Sequence, residues 1–330
     1  MIIPVKTSQG GYDIVTYRGA LADAHKYMNL DRSVLIVTDD GVPPQYAKTV
    51  ALQCKNAKIL TLSQGEGTKC IDSFKDILSV MCKTGLTRTD CVVAVGGGVV
   101  GDLAGFCAAC YMRGIDFYNI PTTVLSQVDS SIGGKTAIDF EGYKNIVGAF
   151  YQPKCVLIDP DTLKTLDDRQ IKNGLSEAIK MSLTSDAELF EYIEKGGFDI
   201  TEVITRALLI KKAVVEEDEK ESGLRKVLNF GHTLAHAVES AANGRLYHGE
   251  CVAIGMLPMC APSVKERLKK VLEAVGLPVS HGFDTDSLID ALNHDKKASG
   301  DKITVVYVDK VGHFEFKKVG FDTLKKMIED

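Results

Sequence analysis

Three of the chain's seven histidines fall between positions 232 and 248, in Asn229-Phe-Gly-His232-Thr-Leu-Ala-His236 and in Tyr247-His248-Gly-Glu250. His232 and His236 are four apart, which puts both rings on one face of a helix. Neutral imidazoles so placed are ligands for a divalent cation, and spacing alone selects this pair. A carboxylate has to complete the set, and the local sequence leaves open which one. The competing reading is a group of buried, hydrogen-bonded histidines without a metal.

A second chemistry is written in glycine. Gly96-Gly97-Gly98-Val99-Val100-Gly101 fits G-x-G-x-x-G, follows the apolar run Cys91–Val95 and opens an apolar stretch. Residues without a Cβ let backbone approach a dinucleotide closely, and the amides of a following helix attract its phosphates. The same pattern also serves as a tight strand-to-helix turn with no ligand. It departs from the usual fingerprint twice. The motif comes near residue 96 rather than at the first strand, and no acid closes the next strand, Phe117–Ile120. Asp39, at the end of an earlier strand, is the better candidate to accept from a ribose hydroxyl. In Ser131-Ile-Gly-Gly-Lys135-Thr136, Asp129 stands where a P-loop needs its first glycine, so that motif fails. Lys135 still offers a phosphate a point charge.

The elements that must position these groups divide the chain in two. Ser33–Thr38, Ala57–Leu62, Cys91–Val95 and Phe117–Ile120 read as strands, and residues 70–83 carry helical periodicity. Such alternation predicts a parallel sheet covered by helices on both faces. After residue 167 long helical patterns dominate, with Glu216–Glu221 read as a solvated helix end or loop. Lys302–Val308 and Gly312–Lys317 form a late hairpin. The fold class expected is α/β: an N-terminal Rossmann-like domain, residues 1–167, followed by a mainly α-helical domain, residues 168–330, with a site between them.

Composition excludes several classes. Thirty-nine basic against 44 acidic residues give a net charge of -5, which argues against nucleic acid as a partner. Nine scattered cysteines do not form a disulfide framework and fit a reducing compartment. Cys107-Ala-Ala-Cys110 reads as small buried helix residues. Val92–Met112, the one stretch resembling a membrane span, contains Asp102 and five glycines. No signal peptide is apparent at the N-terminus. A cytoplasmic protein with no membrane partner is expected.

Beyond these readings, the chain resembles the 3-dehydroquinate synthase family along essentially its whole length. The motifs are Gly96–Gly105, Tyr111–Gly114, Pro121–Thr123, Gln127–Thr136, Lys144-Asn145, Gly174–Lys180, Lys211, Gly223–Arg225, Asn229–Thr233, His236 and His248–Glu250. The resemblance implies a lyase with an NAD-binding domain, a helical metal-binding domain and two-fold association into a homodimer. The family reaction converts 3-deoxy-D-arabino-heptulosonate 7-phosphate to 3-dehydroquinate and phosphate. It proceeds by transient oxidation with NAD, β-elimination of phosphate, re-reduction and aldol closure.

Carried over by position, the resemblance assigns Glu177, His232 and His248 to Zn2+ or Co2+ and moves His236 from the metal to the substrate. It assigns Asp39, Glu66, Lys69, Gly97, Gly98, Asp102, Thr122, Thr123 and Thr165 to NAD. Lys135, Asn145, Lys296 and Arg113, the last from a neighbouring subunit, would take the substrate phosphate. Lys211 and Arg225 would take its carboxylate. Asp129, Lys180, Asn229 and His236 would contact ring hydroxyls and arrange proton transfer, with Lys144 nearby. Competing readings are 2-deoxy-scyllo-inosose synthase, whose substrate lacks the carboxylate, a polyol dehydrogenase that releases NADH, and a non-catalytic sensor of NAD or sugar phosphate.

Overall fold

Alternating β-branched runs and amphipathic stretches build the first half around one sheet. The structure, a computed structural model, describes residues 1–8, 10–295 and 302–329. Its contacts separate two compact units, Met1–Asp167 and Asp168–Asp330. Lys296, expected at the substrate phosphate, lies outside the described residues, as does its neighbour Lys297.

In the first unit the elements run β1 (Ile2–Thr7), β2 (Gly10–Thr16), β3 (Ser33–Asp39), α1 (Pro44–Ala51), β4 (Asn56–Leu62), α2 (Ile71–Lys83), β5 (Cys91–Gly96), α3 (Gly98–Cys110), β6 (Asp116–Pro121), β7 (Lys135–Phe140), β8 (Tyr143–Phe150) and β9 (Cys155–Ile158). Seven strands form one sheet in the order β1-β2-β9-β6-β5-β3-β4, while β7 and β8 make a separate hairpin. Apart from the antiparallel β1–β2 edge, the pairings in the large sheet are parallel. Alternate residues feed opposite cores. Val34 and Ile36 of β3 join Val93 and Val95 of β5 on one face, whereas Leu35 and Val37 join Val92 and Ala94 on the other. The sequence reading found the central strands. It missed the edge strand β1 with its partner β2, the four-residue β9, and the β7–β8 hairpin.

Strand order fixes where a ligand can sit. The chain passes from β3 out to β4, then returns to lay β5 on the other side of β3. Connections leave β3 and β5 in opposite directions, and that divergence opens a crevice at the carboxyl ends of the two strands. Val37 of β3 pairs with Ala94 of β5, so Asp39 and Gly96 each lie two residues beyond the last matched pair.

The second unit is mostly helical: α4 (Asp168–Ser185), α5 (Ala187–Glu194), α6 (Ile200–Glu217), α7 (His232–Ala242), α8 (His248–Met256), α9 (Pro262–Val275), α10 (Thr285–Asp295), the hairpin β10 (Lys302–Lys310) and β11 (His313–Gly320), and α11 (Phe321–Glu329). Among the described residues no helix is long and apolar enough to cross a membrane.

Two expectations need correction. The Glu216–Glu221 run is not uniformly solvated, because Asp218 is buried under its own turn. Its carboxylate accepts from the amides of Ser222, Gly223 and Arg225 and from Ser222 Oγ. Of the Cys107/Cys110 pair only Cys107 is buried; Cys110 ends α3 exposed. All nine cysteines are free thiols.

Candidate metal and cofactor sites

Helices α4, α7 and α8 each contribute one ligand atom to a cluster. Glu177, His232 and His248 place their ligand atoms within 4.8 Å of one another. Glu177 Oε1 lies 3.9 Å from His232 Nε2 and 3.7 Å from His248 Nε2. The approach of α8 to its neighbours depends on glycine. A Cβ on Gly249 would fall 1.9 Å from the Asn173 carbonyl oxygen of α4, and one on Gly255 would fall 2.1 Å from Gly231 O at the start of α7. The first turn of α8 is fixed as well. Tyr247 N donates to Glu250 Oε2 at 2.8 Å, Arg169 makes a bidentate bond to the same carboxylate, and its guanidinium stacks 4.1 Å from the Tyr247 ring centre.

The chemistry of this donor set fits a divalent cation. Glu177 is almost fully buried; Lys180 Nζ, also buried, pairs with its Oε2, while Oε1, the oxygen facing both histidines, has no hydrogen-bond partner. A buried carboxylate oxygen left so is costly unless a further cation completes it. Burial and the neighbouring Lys180 charge hold His232 well below the usual histidine range, the neutral form a ligand needs. Burial opposes the charge on His248 too, but the carboxylates of Glu239 and Glu177 outweigh it and raise its pKa. Three protein ligands leave coordination positions open, as in catalytic rather than structural metal sites. His236 is near, its ring 5.6 Å from that of His232 and 6.5 Å from that of His248, but it is not one of the converging three.

Beside the cluster a cavity of about 440 Å³ is lined by Glu221, Asn229, His232, Thr233, His236 and Lys226, among others. Glu221 was read in sequence as one acid of a solvated run. The structure gives it a left-handed backbone, φ 60°, and an Oε1 that accepts from Asn229 Nδ2 at 2.7 Å. Lys211 of α6 and Arg225 are both buried cations of the same unit. Arg225 Nη1 donates to Glu219 O at 2.5 Å.

In the first unit the glycine turn lies between β5 and α3. Its N-cap, Gly97, offers no side-chain hydrogen bond to the helix amides, which leaves them for an anion. A Cβ on Gly98 would stand 3.0 Å from Ser130 Oγ, itself buried with no hydrogen-bond partner, and one on Gly97 would stand 3.3 Å from Thr123 Cγ2. Such a cradle suits the pyrophosphate of a dinucleotide. Asp39 uses Oδ1 to accept from the Gly41 and Val42 amides at the adjacent strand end. Thr122 N donates to Gly96 O, and Thr165 Oγ1 is 2.8 Å from Tyr46 Oη.

Asp102 sits inside α3 and forms an ion pair of 2.5 Å with Lys69 Nζ, which is 5% exposed. Lys69 also bonds to Asn145 Oδ1 and lies 3.8 Å from Glu66. Burial opposes the lysine charge, but Asp102 and Glu66 outweigh it and raise its pKa. Two expected cofactor residues and one expected phosphate residue therefore share one ammonium. Asn145 holds φ 55° and Arg113 φ 68°, unusual for residues with side chains. Asp129 occupies a π-helical turn, Ser126–Ser130. Lys135, Lys144 and Arg113 are exposed.

The comparisons with known proteins follow the same two halves. Residues 59–173 match the family description "3-dehydroquinate synthase N-terminal" and residues 174–298 match "3-dehydroquinate synthase C-terminal". A 3-dehydroquinate synthase of Streptococcus suis is 38% identical over an alignment of 354 positions that covers 100% of both chains. One from Ruminiclostridium cellulolyticum is 41% identical, covering 90% of this chain and 89% of the other. Among solved structures, 2-epi-5-epi-valiolone synthase from Streptomyces hygroscopicus subsp. jinggangensis, with NAD+ and Zn2+ bound, superposes with a TM-score of 0.87 at 29% identity, covering 96% and 94%. A 2-deoxy-scyllo-inosose synthase complexed with carbaglucose-6-phosphate, NAD+ and Co2+ has a TM-score of 0.91 at 24% identity, covering 99% of each chain, and shares the fold.

Proposed function

We infer the function from one premise, that the chain belongs to the 3-dehydroquinate synthase family: it converts 3-deoxy-D-arabino-heptulosonate 7-phosphate to 3-dehydroquinate and phosphate, as a carbon–oxygen lyase. The observation that carries the reading is the convergence of Glu177, His232 and His248 in a chain matched along both family halves. Its cofactors are NAD, held by the first unit, and a divalent metal, Zn2+ or Co2+, held by those three side chains. When bound, NAD supplies a reversible hydride acceptor and the metal a Lewis acid that acidifies a hydroxyl.

The remaining work falls to this chain's own groups. The substrate carries a carboxylate and a phosphate in a protein of net charge -5, so its counter-charge has to be local. Lys211 and Arg225, both buried and so shielded from salt, take the carboxylate. Lys135, Asn145 and Arg113 take the phosphate together with Lys296. Lys180 Nζ, next to Glu177, and the His236 ring hold and move protons at the ring hydroxyls, with Asp129 and Asn229 orienting them and Lys144 nearby. Glu221 holds the Asn229 amide in place. The cofactor residues are Asp39, Glu66, Lys69, Gly97, Gly98, Asp102, Thr122, Thr123 and Thr165.

The protein works in the cytoplasm, a location its free thiols suit, and as a homodimer. Support for the second copy comes from the β7–β8 hairpin, which exposes Phe140, Tyr143, Ile146, Val147 and Phe150, with Met112 also exposed beside the unusual backbone of Arg113.

The purified protein, loaded with Zn2+ and catalytic NAD, is given the heptulosonate phosphate or glucose 6-phosphate while phosphate, carbocycle and NADH are followed. Expected are equal amounts of dehydroquinate and phosphate from the first substrate, with no net NADH. Turnover of glucose 6-phosphate alone would reassign the substrate. Accumulating NADH would make the protein a dehydrogenase, and binding without turnover would make it a sensor.

A further inference from the structure

The two histidines of the metal cluster are anchored differently. Each turns Nε2 toward Glu177, which leaves Nδ1 to face outward. His232 Nδ1 lies 3.2 Å from the Phe230 carbonyl, a backbone acceptor that no side-chain substitution removes. His248 Nδ1 lies 3.5 Å from Oε2 of Glu239, a residue to which neither the family motifs nor the spacing gives a role. Glu239 is seven residues beyond His232 on α7, so His232, His236 and Glu239 share one helix face.

We propose that Glu239 is a positioning residue for metal binding, holding the His248 ring in the tautomer and orientation that aim Nε2 at the ion. The inference rests on the metal reading above. Glu239 is not a fourth ligand, because its carboxylate meets the ring edge opposite the one that faces Glu177. Its place in the helix supports a role outside the helix. Glu239 stands in the last turn of α7, where its backbone carbonyl already accepts from Asn243 N, and a negative side chain there opposes the helix dipole. The same carboxylate faces the first residue of α8, His248, where the dipole favours it. A carboxylate hydrogen-bonded to the far nitrogen of a metal-bound imidazole raises its basicity and fixes its angle, and losing one typically weakens metal affinity by roughly 10–100-fold.

The test measures affinity rather than turnover. Zn2+ dissociation constants are taken by chelator competition, and Co2+ absorption spectra are recorded, for the wild-type protein, Glu239→Ala, Glu239→Gln and His248→Ala. Glu239→Ala is expected to weaken Zn2+ binding by roughly tenfold or more and to shift the Co2+ spectrum. Glu239→Gln, which keeps an acceptor but not the charge, is expected to weaken it less. Melting temperatures of the metal-free proteins check that each variant folds, and the rise in melting temperature on adding Zn2+ should be smaller for Glu239→Ala than for wild type. Wild-type affinity and spectrum in Glu239→Ala, or in Glu239→Gln if the alanine variant does not fold, would overturn the proposal. A wild-type protein that binds no metal would overturn the metal reading itself, a separate failure.

Discussion

Gly249 N donates to Asn173 Oδ1 at 2.6 Å, and the Asn173 carbonyl stands where a side chain on Gly249 would begin. Glu177 is one helical turn after Asn173, and His248 is the residue before Gly249. The contact between α4 and α8 therefore sets the distance between two of the proposed metal ligands. Gly249→Ala has to push the helices apart, because the obstacle is backbone. The expected result is a destabilisation of about 1–3 kcal/mol, or more, from overpacking, together with loss of most metal affinity. Thermal melting and zinc content of the purified variant check both.

The metal set makes a sharper prediction about His236. Glu177→Ala, His232→Ala and His248→Ala should each purify with little zinc, whereas His236→Ala should retain it while losing most activity. Zinc per subunit by elemental analysis, read beside turnover, separates the two classes. An equal loss of zinc in His236→Ala would restore the pair that helical spacing alone selects. Stripping the wild-type protein with a chelator should lower its melting temperature, because an ion that binds only the folded state stabilises it by mass action.

How far the sequence reaches can be judged from these residues. The central strands were legible because Val34–Val37 and Cys91–Val95 are apolar runs bounded by turns, as strands covered on both faces must be. β8 was not, since it is largely exposed and carries no buried face to impose a period. Local spacing paired His232 with His236 because it cannot see that α4 and α8 converge on α7. Only the likeness to the family supplied Glu177 and His248. Glu221, Asp218 and Glu239 escaped because their roles lie in what they touch: an asparagine amide, a turn of backbone amides and an imidazole nitrogen. Glu239 stands seven residues past His232 on the same helix face, but that spacing assigns it no role without α8 beside it.

Lys69 bridges the glycine-turn helix and the β7–β8 hairpin through Asp102 and Asn145. Lys69→Met removes the cation beside Asp102, which is 19% exposed and partly reachable by water. The expected cost is about 2–3 kcal/mol, below the full value for a wholly buried broken pair. Because the Asn145 side chain loses its bond to Lys69 as well, although its backbone amide still donates to Asp139 Oδ1, KM for both NAD and the phosphate substrate should rise. Steady-state kinetics with each substrate varied in turn would test this; a change confined to stability would remove the coupling.

Asp218 gives a pH signature. Burial would raise its pKa, but the amides of Gly223, Ser222 and Arg225 and the Ser222 hydroxyl bind the ionised form and lower it to about 2. A folded-state value below the unfolded one, near 4, contributes stability that is complete above pH 4 and is lost as pH falls toward 2. Asp218→Asn should therefore be less stable than wild type at pH 7, with the gap closing between about pH 4 and pH 2. Since those amides shape the turn that presents Arg225, KM for the carboxylate substrate should rise more than kcat falls. Denaturant melts across that pH range and kinetics at pH 7 are the measurements.

The exposed apolar residues of β8 tie the proposed dimer to the active site. Tyr143 is 67% exposed and Ile146 62%, and Asn145 between them is one of the residues assigned to the substrate phosphate. A strand with so much apolar surface in water is an unusual monomer surface but an ordinary half of an isologous interface. Ile146→Asp places a charge where the second copy would bury it, and should convert the dimer to a monomer by light scattering. If Arg113 acts across that interface, the monomer should lose activity although its zinc content and NAD affinity are unchanged. Mixing Ile146→Asp with an excess of Arg113→Ala should not restore turnover, because the aspartate still blocks association. A monomeric Ile146→Asp protein with full activity would confine the phosphate site to a single chain.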